Sequence, residues 1–252
     1  VEDIEEALRL KSLDLGWGIS NFIATYLIIF ISTTVYYVKK YKTHIIWILI
    51  VLFEITMLFL TLSRGGIVAF LITSIVLIVY SFFRSNEKVK MLTSILIGLI
   101  VLSGFIYWNA ETFTALWDRL VLNGMDDSGR FEIWQTAFDQ FLAHPLFGVG
   151  LYSRLINDTY LGLNHNTIMQ TAASFGIVGL IALGLMFYET IKVFFKNINH
   201  EKMILFIALI GANIHGMVDN VFYMPQFMII FFIIIAVVEN ANKAEEEAKE
   251  IA

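Results

Sequence analysis

Residues 108–166 read WNAETFTALWDRLVLNGMDDSGRFEIWQTAFDQFLAHPLFGVGLYSRLINDTYLGLNHN. This polar stretch interrupts a chain that is otherwise apolar enough to be membrane. It holds seven acids (Glu111, Asp118, Asp126, Asp127, Glu132, Asp139, Asp158), three arginines (Arg119, Arg130, Arg154) and Pro145, one of only 2 prolines. On either side the apolar runs approach or exceed the ~20 residues a helix needs to cross a bilayer. They are Ser20–Val38, Ile45–Leu62, Ile67–Phe83 and Met91–Tyr107 before it, and Thr167–Phe194, Met203–Asp219 and Phe222–Val238 after it. Backbone groups in lipid must be paired within the segment, so each run should be a helix. The expected fold is all-α: a polytopic transmembrane bundle of about seven helices with one large loop.

Bulk composition agrees. The chain is 58% hydrophobic with a mean hydropathy of +0.74, and only 15% of its 252 residues are charged, against about 25% in soluble domains. A net charge of −5 gives no footprint for nucleic acid. With 0 cysteines there is no disulfide framework, thiolate nucleophile or thiolate metal site.

Basic residues set the orientation. Lys39, Lys40 and Lys42 follow the first run, Arg84, Lys88 and Lys90 the third, and Lys192, Lys196 and Lys202 the fifth. If all seven runs span, these connections share the cytoplasmic side and residues 108–166 lie outside. The expected units are then residues 1–19 as an acidic, amphipathic extracytoplasmic segment, 20–107 as four spans, 108–166 as the outer loop, 167–238 as three spans, and 239–252 as a charged helical tail running into the cytoplasm. The chain starts at Val1, and its opening lacks the basic-then-apolar order of a signal peptide; a portion of a longer protein is expected.

The orientation gathers the unusual residues on one side. Arg64, in Ser63-Arg64-Gly65-Gly66, sits in a tight connection whose glycines permit a sharp reversal and close approach. Its guanidinium is either a headgroup contact or a forked clamp for a phosphate. Arg130 opens a stretch with Phe131, Trp134, Phe138, Phe141 and Leu142 at near-helical spacing. Asp127 or Ser128 would cap it and Pro145 lies beyond its end. The stripe suits a helix in the membrane interface or one packed on the bundle. His165, between Asn164 and Asn166 at a helix start, is either a hydrogen-bonded surface residue or a proton acceptor near neutral pH. His215 and Asp219, four apart, would share a helix face as polar support; two ligands do not make a metal site. Glu54, mid-helix, is expensive in lipid, and a hydrogen bond to a neighbouring helix is its plain role. Phe175-Gly176-Ile177-Val178-Gly179, with Ala172, Ala182 and Gly184, reads as a helix-packing face.

Assembled in order, Ser20-Asn21, Ser63-Arg64-Gly65-Gly66, Gly129-Arg130 with Ile133-Trp134, His144-Pro145-Leu146-Phe147-Gly148-Val149-Gly150, Asn164-His165-Asn166, the Phe175–Gly179 motif, and His215 with Asp219 resemble the O-antigen ligase and polymerase superfamily. Its members usually have ten or more membrane helices, so the resemblance points to a C-terminal portion. It implies a glycosyltransferase of the bacterial cytoplasmic membrane, with its active site on the extracytoplasmic face. The donor would be an undecaprenyl-diphosphate-linked glycan and the acceptor a hydroxyl on a glycan, lipid or protein, with no metal and no cofactor. Arg64, Arg130 and His165 take the catalytic places, and Asn164, Asn166, His215, Asp219 and Trp134 are the expected substrate-binding set. The rival classes are a precursor transporter or flippase, which calls for midplane polar sites and broken helices in related halves, and a non-catalytic membrane component.

Overall fold

The computed structural model describes residues 20–41, 44–108, 110, 114, 129–151, 154–156 and 160–251. Within them a helix stands at each of the seven apolar runs: α1 Ser20–Tyr41, α2 His44–Leu60, α3 Arg64–Arg84, α4 Lys88–Trp108, α6 Thr167–Phe195, α7 His200–Gly216 and α8 Pro225–Ile251. In the loop lies α5, Arg130–Ala143. The expected caps Asp127 and Ser128, like residues 1–19, lie outside the described residues; Gly129, with φ 68°, takes the N-cap position. A short antiparallel hairpin, β1 Arg154–Ile156 with β2 Tyr160–Gly162, adds strand structure that the all-α expectation did not include. Helices α3, α6 and α8 are long and apolar enough to cross a membrane, and α1 and α2 carry shorter apolar stretches. Their outward faces are apolar, for example Leu71 and Ile75 on α3 and Ile181 and Leu185 on α6. That pattern fits a lipid surround and not water.

Packing is organised on α1 and α7. Helix α1 lies against α2, α3 and α7, and α3 also packs on α7. A second core joins α6, α7 and α8 through Phe194, Leu209, Val221, Phe227 and Phe231. Within the bundle, the Thr34 hydroxyl of α1 donates to Glu54 Oε1 of α2 at 3.1 Å, a helix-to-helix hydrogen bond.

Four local expectations are corrected. The reversal between α2 and α3 is made by Thr61-Leu62-Ser63, with Leu62 left-handed at φ 52°, and not by the glycines. Arg64 is the first residue of α3, Gly65 lets Val218 and His215 approach, and Gly66 lets Ala24 approach. Helix α7 ends at Gly216, because Met217 and Val218 donate back to Ile214 and His215 in three-residue turns, so Asp219 lies past the helix and off the His215 face. The tail does not simply run into water. Lys202, only 3% exposed, donates to the Asn197 carbonyl, Asn242 Oδ1 and Glu245 Oε1 at 2.8–2.9 Å, which ties the end of α8 to the α6–α7 connection.

The fourth correction is the largest. The Phe175–Gly179 motif is a break in α6: Gly176 has φ 63° and ψ −152°, a conformation essentially confined to glycine. In an unbroken helix Ile177 would donate to Ala173 and Val178 to Ser174. Instead Ile177 donates to the Pro145 carbonyl at 2.8 Å and Val178 to that of Leu146 at 3.3 Å. The vacated carbonyls of Ala173 and Ser174 accept from Val149 at 2.9 Å and Gly150 at 3.0 Å. Four groups freed by the break thus find four partners in the His144–Gly150 loop. Left unpaired when buried, each would cost about 1–3 kcal/mol.

Candidate functional site

The site begins with where helices start. Ser63 caps α3, its hydroxyl accepting from the Gly66 amide at 3.2 Å. Asn166 caps α6, its Oδ1 accepting from Ile168 and Met169 at 2.9 and 3.0 Å. Asn21, in the first turn of α1, donates to Asp219 Oδ2 at 2.6 Å. Trp134, in the second turn of α5, donates from its indole to the Asn164 carbonyl at 3.0 Å. The starts of α1, α3, α5 and α6 therefore meet at one polar cluster, which the end of α7 closes.

At its centre the backbone of His165 is left-handed, with φ 48°. That conformation costs a non-glycine residue about 1–2 kcal/mol and is held from both sides. Before it, the Asn164 amide donates to Gln170 Oε1 at 2.7 Å, while the Asn164 carbonyl receives Trp134. After it, the Asn166 amide donates to Asn220 Oδ1 at 3.2 Å and its side-chain amide to the Met217 carbonyl at 2.7 Å. The ring is 37% exposed, but its Nδ1 is buried and stands 3.7 Å from Asp219 Oδ1. That is ion-pair reach and too long for a hydrogen bond. With Nδ1 turned inward, Nε2 is the nitrogen left to face a ligand.

Asp219 is 1% exposed and also accepts from the Asn220 amide at 2.8 Å. Burial is the largest influence on its carboxyl and pushes it up, but His165, the Asn220 amide and His215 together hold it below the ordinary carboxylate range. His215, 1% exposed, lies beneath: its Nδ1 meets the Thr25 hydroxyl at 2.8 Å and its Nε2 the Ser63 hydroxyl at 3.3 Å.

The eight expected site residues thus divide. Asn164, Asn166, His215 and Asp219 are buried in protein hydrogen bonds. His165 and Arg130 are partly exposed and Arg64 is exposed. Arg130 and Trp134, four apart, share a face of α5, so Arg130 lies on the side tied to Asn164. The cluster joins His165 to Asp219 and Ser63 to His215; Arg64 and Arg130 flank it at the first residues of α3 and α5. Sequence reasoning missed Thr25, Gln170 and Asn220. Gln170, one turn after the Asn166 cap, was legible by spacing; the other two are ordinary helix and turn residues until the fold brings them in. Among the described residues no three His, Asp or Glu side chains group as metal ligands would.

Beside the cluster runs an apolar cavity of about 340 Å³ between α6 and α7, from Thr167 and Met217 to Phe206 and Ile191. A second, of about 450 Å³, lies along α6 against Tyr223 and Met228.

This chain is similar to an uncharacterized protein of Haemophilus influenzae, 28% identical over 229 residues that cover 82% of this chain and 57% of that protein. It therefore spans little more than half the length of that relative. The O-antigen ligase family matches residues 49–184, from α2 to the middle of α6 and more than half of the chain, and the chain belongs to that family.

Proposed function

We propose that this membrane protein transfers a glycan from an undecaprenyl-diphosphate donor to an acceptor hydroxyl at the extracytoplasmic face of the bacterial inner membrane. In this reading all seven apolar helices span, residues 108–166 lie outside, and α5 rests in the interface with Phe131, Phe138 and Leu142 toward lipid; all three are exposed. The observation that carries it is the meeting of four helix starts at the polar cluster that holds His165. Each start carries the partial positive end of a helix dipole, and two of them begin with arginine. That suits a diphosphate.

The chemistry follows from the atoms. The acceptor oxygen attacks the anomeric carbon as its proton passes to His165 Nε2. The bond from that carbon to the diphosphate oxygen breaks, and the electron pair leaves with the lipid diphosphate. Arg64, Arg130 and the helix starts stabilise the charge that develops there. The Asp219 carboxylate, 3.7 Å from Nδ1, electrostatically favours the tautomer with Nδ1–H inward and stabilises the imidazolium as it forms. The cavity between α6 and α7 receives the apolar chain of the donor. No step here draws on a metal.

The test is turnover of lipid-linked glycan isolated from cells lacking this protein, followed by mass spectrometry of the product. Wild type should consume donor and form a new glycosidic bond. His165→Ala, Arg64→Ala and Arg130→Ala should each fall by 10²-fold or more; near wild-type turnover in all three would end the proposal. The break in α6 is the feature a transporter reading would use, but the loop fills its freed backbone groups. Donor crossing the bilayer without a new glycosidic product would favour that rival.

A further inference from the structure

The His144–Gly150 loop and the Phe175–Gly179 segment that holds the break touch no reacting group, yet both motifs are among those singled out in the sequence. Helix α5 and the first segment of α6, residues 167–175, lie side by side and point the same way. Near their starts they are tied by the Trp134–Asn164 hydrogen bond. At their far ends they are tied by the four backbone hydrogen bonds at the break. The second tie needs two glycines. A Cβ on Gly148, itself at φ 67°, would come within 2.5 Å of the Ala173 carbonyl oxygen and the Phe175 nitrogen. A Cβ on Gly176 would stand 2.5 Å from the Pro145 and Leu146 carbonyl oxygens. Each glycine is the space into which the other strand of backbone fits.

We propose that Gly148 and Gly176 are positioning residues: together they lock the loop into the break and so fix the spacing between Arg130, at the head of α5, and His165, at the head of α6. The inference rests on the roles given above to those two side chains. The segment from Thr167 to the break is nine residues, about 13 Å. A rotation of either helix about an unlocked far end would carry its head by ångströms, and a misplacement of about 1 Å costs on the order of 10²-fold in rate.

The chain has no cysteine, so paired nitroxides at Phe131→Cys and Ile168→Cys, both exposed positions, report the spacing of the two heads in the full chain in nanodiscs. Wild type should give one narrow distance distribution. Gly176→Ala and Gly148→Ala should each broaden or shift it and lower kcat about 10²-fold, with KM changed no more than about twofold because each head keeps its own contacts. The double variant should cost little more than either single one, since both open the same lock. Gly184→Ala, in the same helix with open space around it, should change neither readout. A folded Gly176→Ala protein with an unchanged distance distribution overturns the proposal, as does a changed distribution with unchanged kcat. If Gly176→Ala does not fold, Val149→Pro decides by the same two readouts, because it deletes one loop amide and leaves α6 intact. Wild type that forms no glycosidic product would sink the proposed function instead, while the spin-label distances would still test the lock.

Discussion

The two ends of the bundle solve the problem of buried polar groups in opposite ways. At the end where α6 and α7 connect, the Lys202 ammonium has three hydrogen-bond partners for its three donors. Around it Asn242 donates to the Val193 carbonyl and Lys196 pairs with Glu246 at 2.8 Å. At the other end Asn164 Oδ1, His165 Nδ1 and Asn220 Nδ2 are buried with no hydrogen-bond partner, beside a histidine held left-handed. Native proteins leave few buried polar atoms unmatched, and those that remain call for an explanation. A saturated network specifies structure; the unsaturated one, strained at His165 and partly open to the surface, is the one the proposed function draws on.

That contrast is most easily broken by removing one side chain from each end. His165→Ala should lower turnover by about 10³-fold, about 4 kcal/mol in the barrier, and leave thermal unfolding nearly unchanged, because the ring is partly exposed. Asp219→Asn should come next, at about 10²-fold in kcat, since the amide no longer favours Nδ1–H inward. Its effect should fall on kcat and the pH profile more than on KM. A loss of folding as large as the loss of rate would class Asp219 with the structural end. Lys202→Met should do the reverse. It strands the buried Asn242 Oδ1 and should cost about 1–3 kcal/mol of stability, while the molecules that fold turn over normally. Reduced kcat in folded Lys202→Met protein would show that the two ends are coupled.

How much of this was legible in the sequence follows the range of the interactions. Six of the seven helices lie within a few residues of the apolar runs, and α8 starts near its run and continues through the tail to Ile251, because length and continuous hydrophobicity are local properties. His165, with its flanking asparagines, stood out for the same reason: a cap precedes the first apolar turn. The break at Gly176 did not, since Phe175–Gly179 is as apolar as the helix on either side and its partner loop lies some 25 residues earlier. Glycines in both motifs were the available signal, but nothing local says that they face each other. Lys202 read as one more basic residue of an inner connection, and the Asn242–Glu245 turn that buries it as solvent-exposed helix. Leu62 was missed because the adjacent glycines offered a cheaper reversal than the one the chain takes.

Acid should separate the two ends by the smallest effect. Both Asp219 and Glu245 are held below their ordinary carboxyl values. For Asp219, burial pushes up and is outweighed by His165, Asn220 and His215; for Glu245, the Lys202 hydrogen bond leads. A carboxyl whose folded value is depressed stabilises the fold above its unfolded value, about 4, and loses that contribution as pH falls through the folded value. Stability should therefore be flat from pH 7 to about 5 on this account and decline below about 4. The Glu245 side chain is 37% exposed, so its share should also weaken with added salt, whereas the Asp219 share, sealed from solvent, should not. Hydrogen exchange across residues 239–251 and 163–171, at pH 6 and pH 3.5 and at low and high salt, measures this. Salt sensitivity at the site end, or its absence in the tail, would reverse the assignment of which carboxylate is sealed. Glu245→Gln should remove the acid response of the tail alone, and Asp219→Asn that of the site alone.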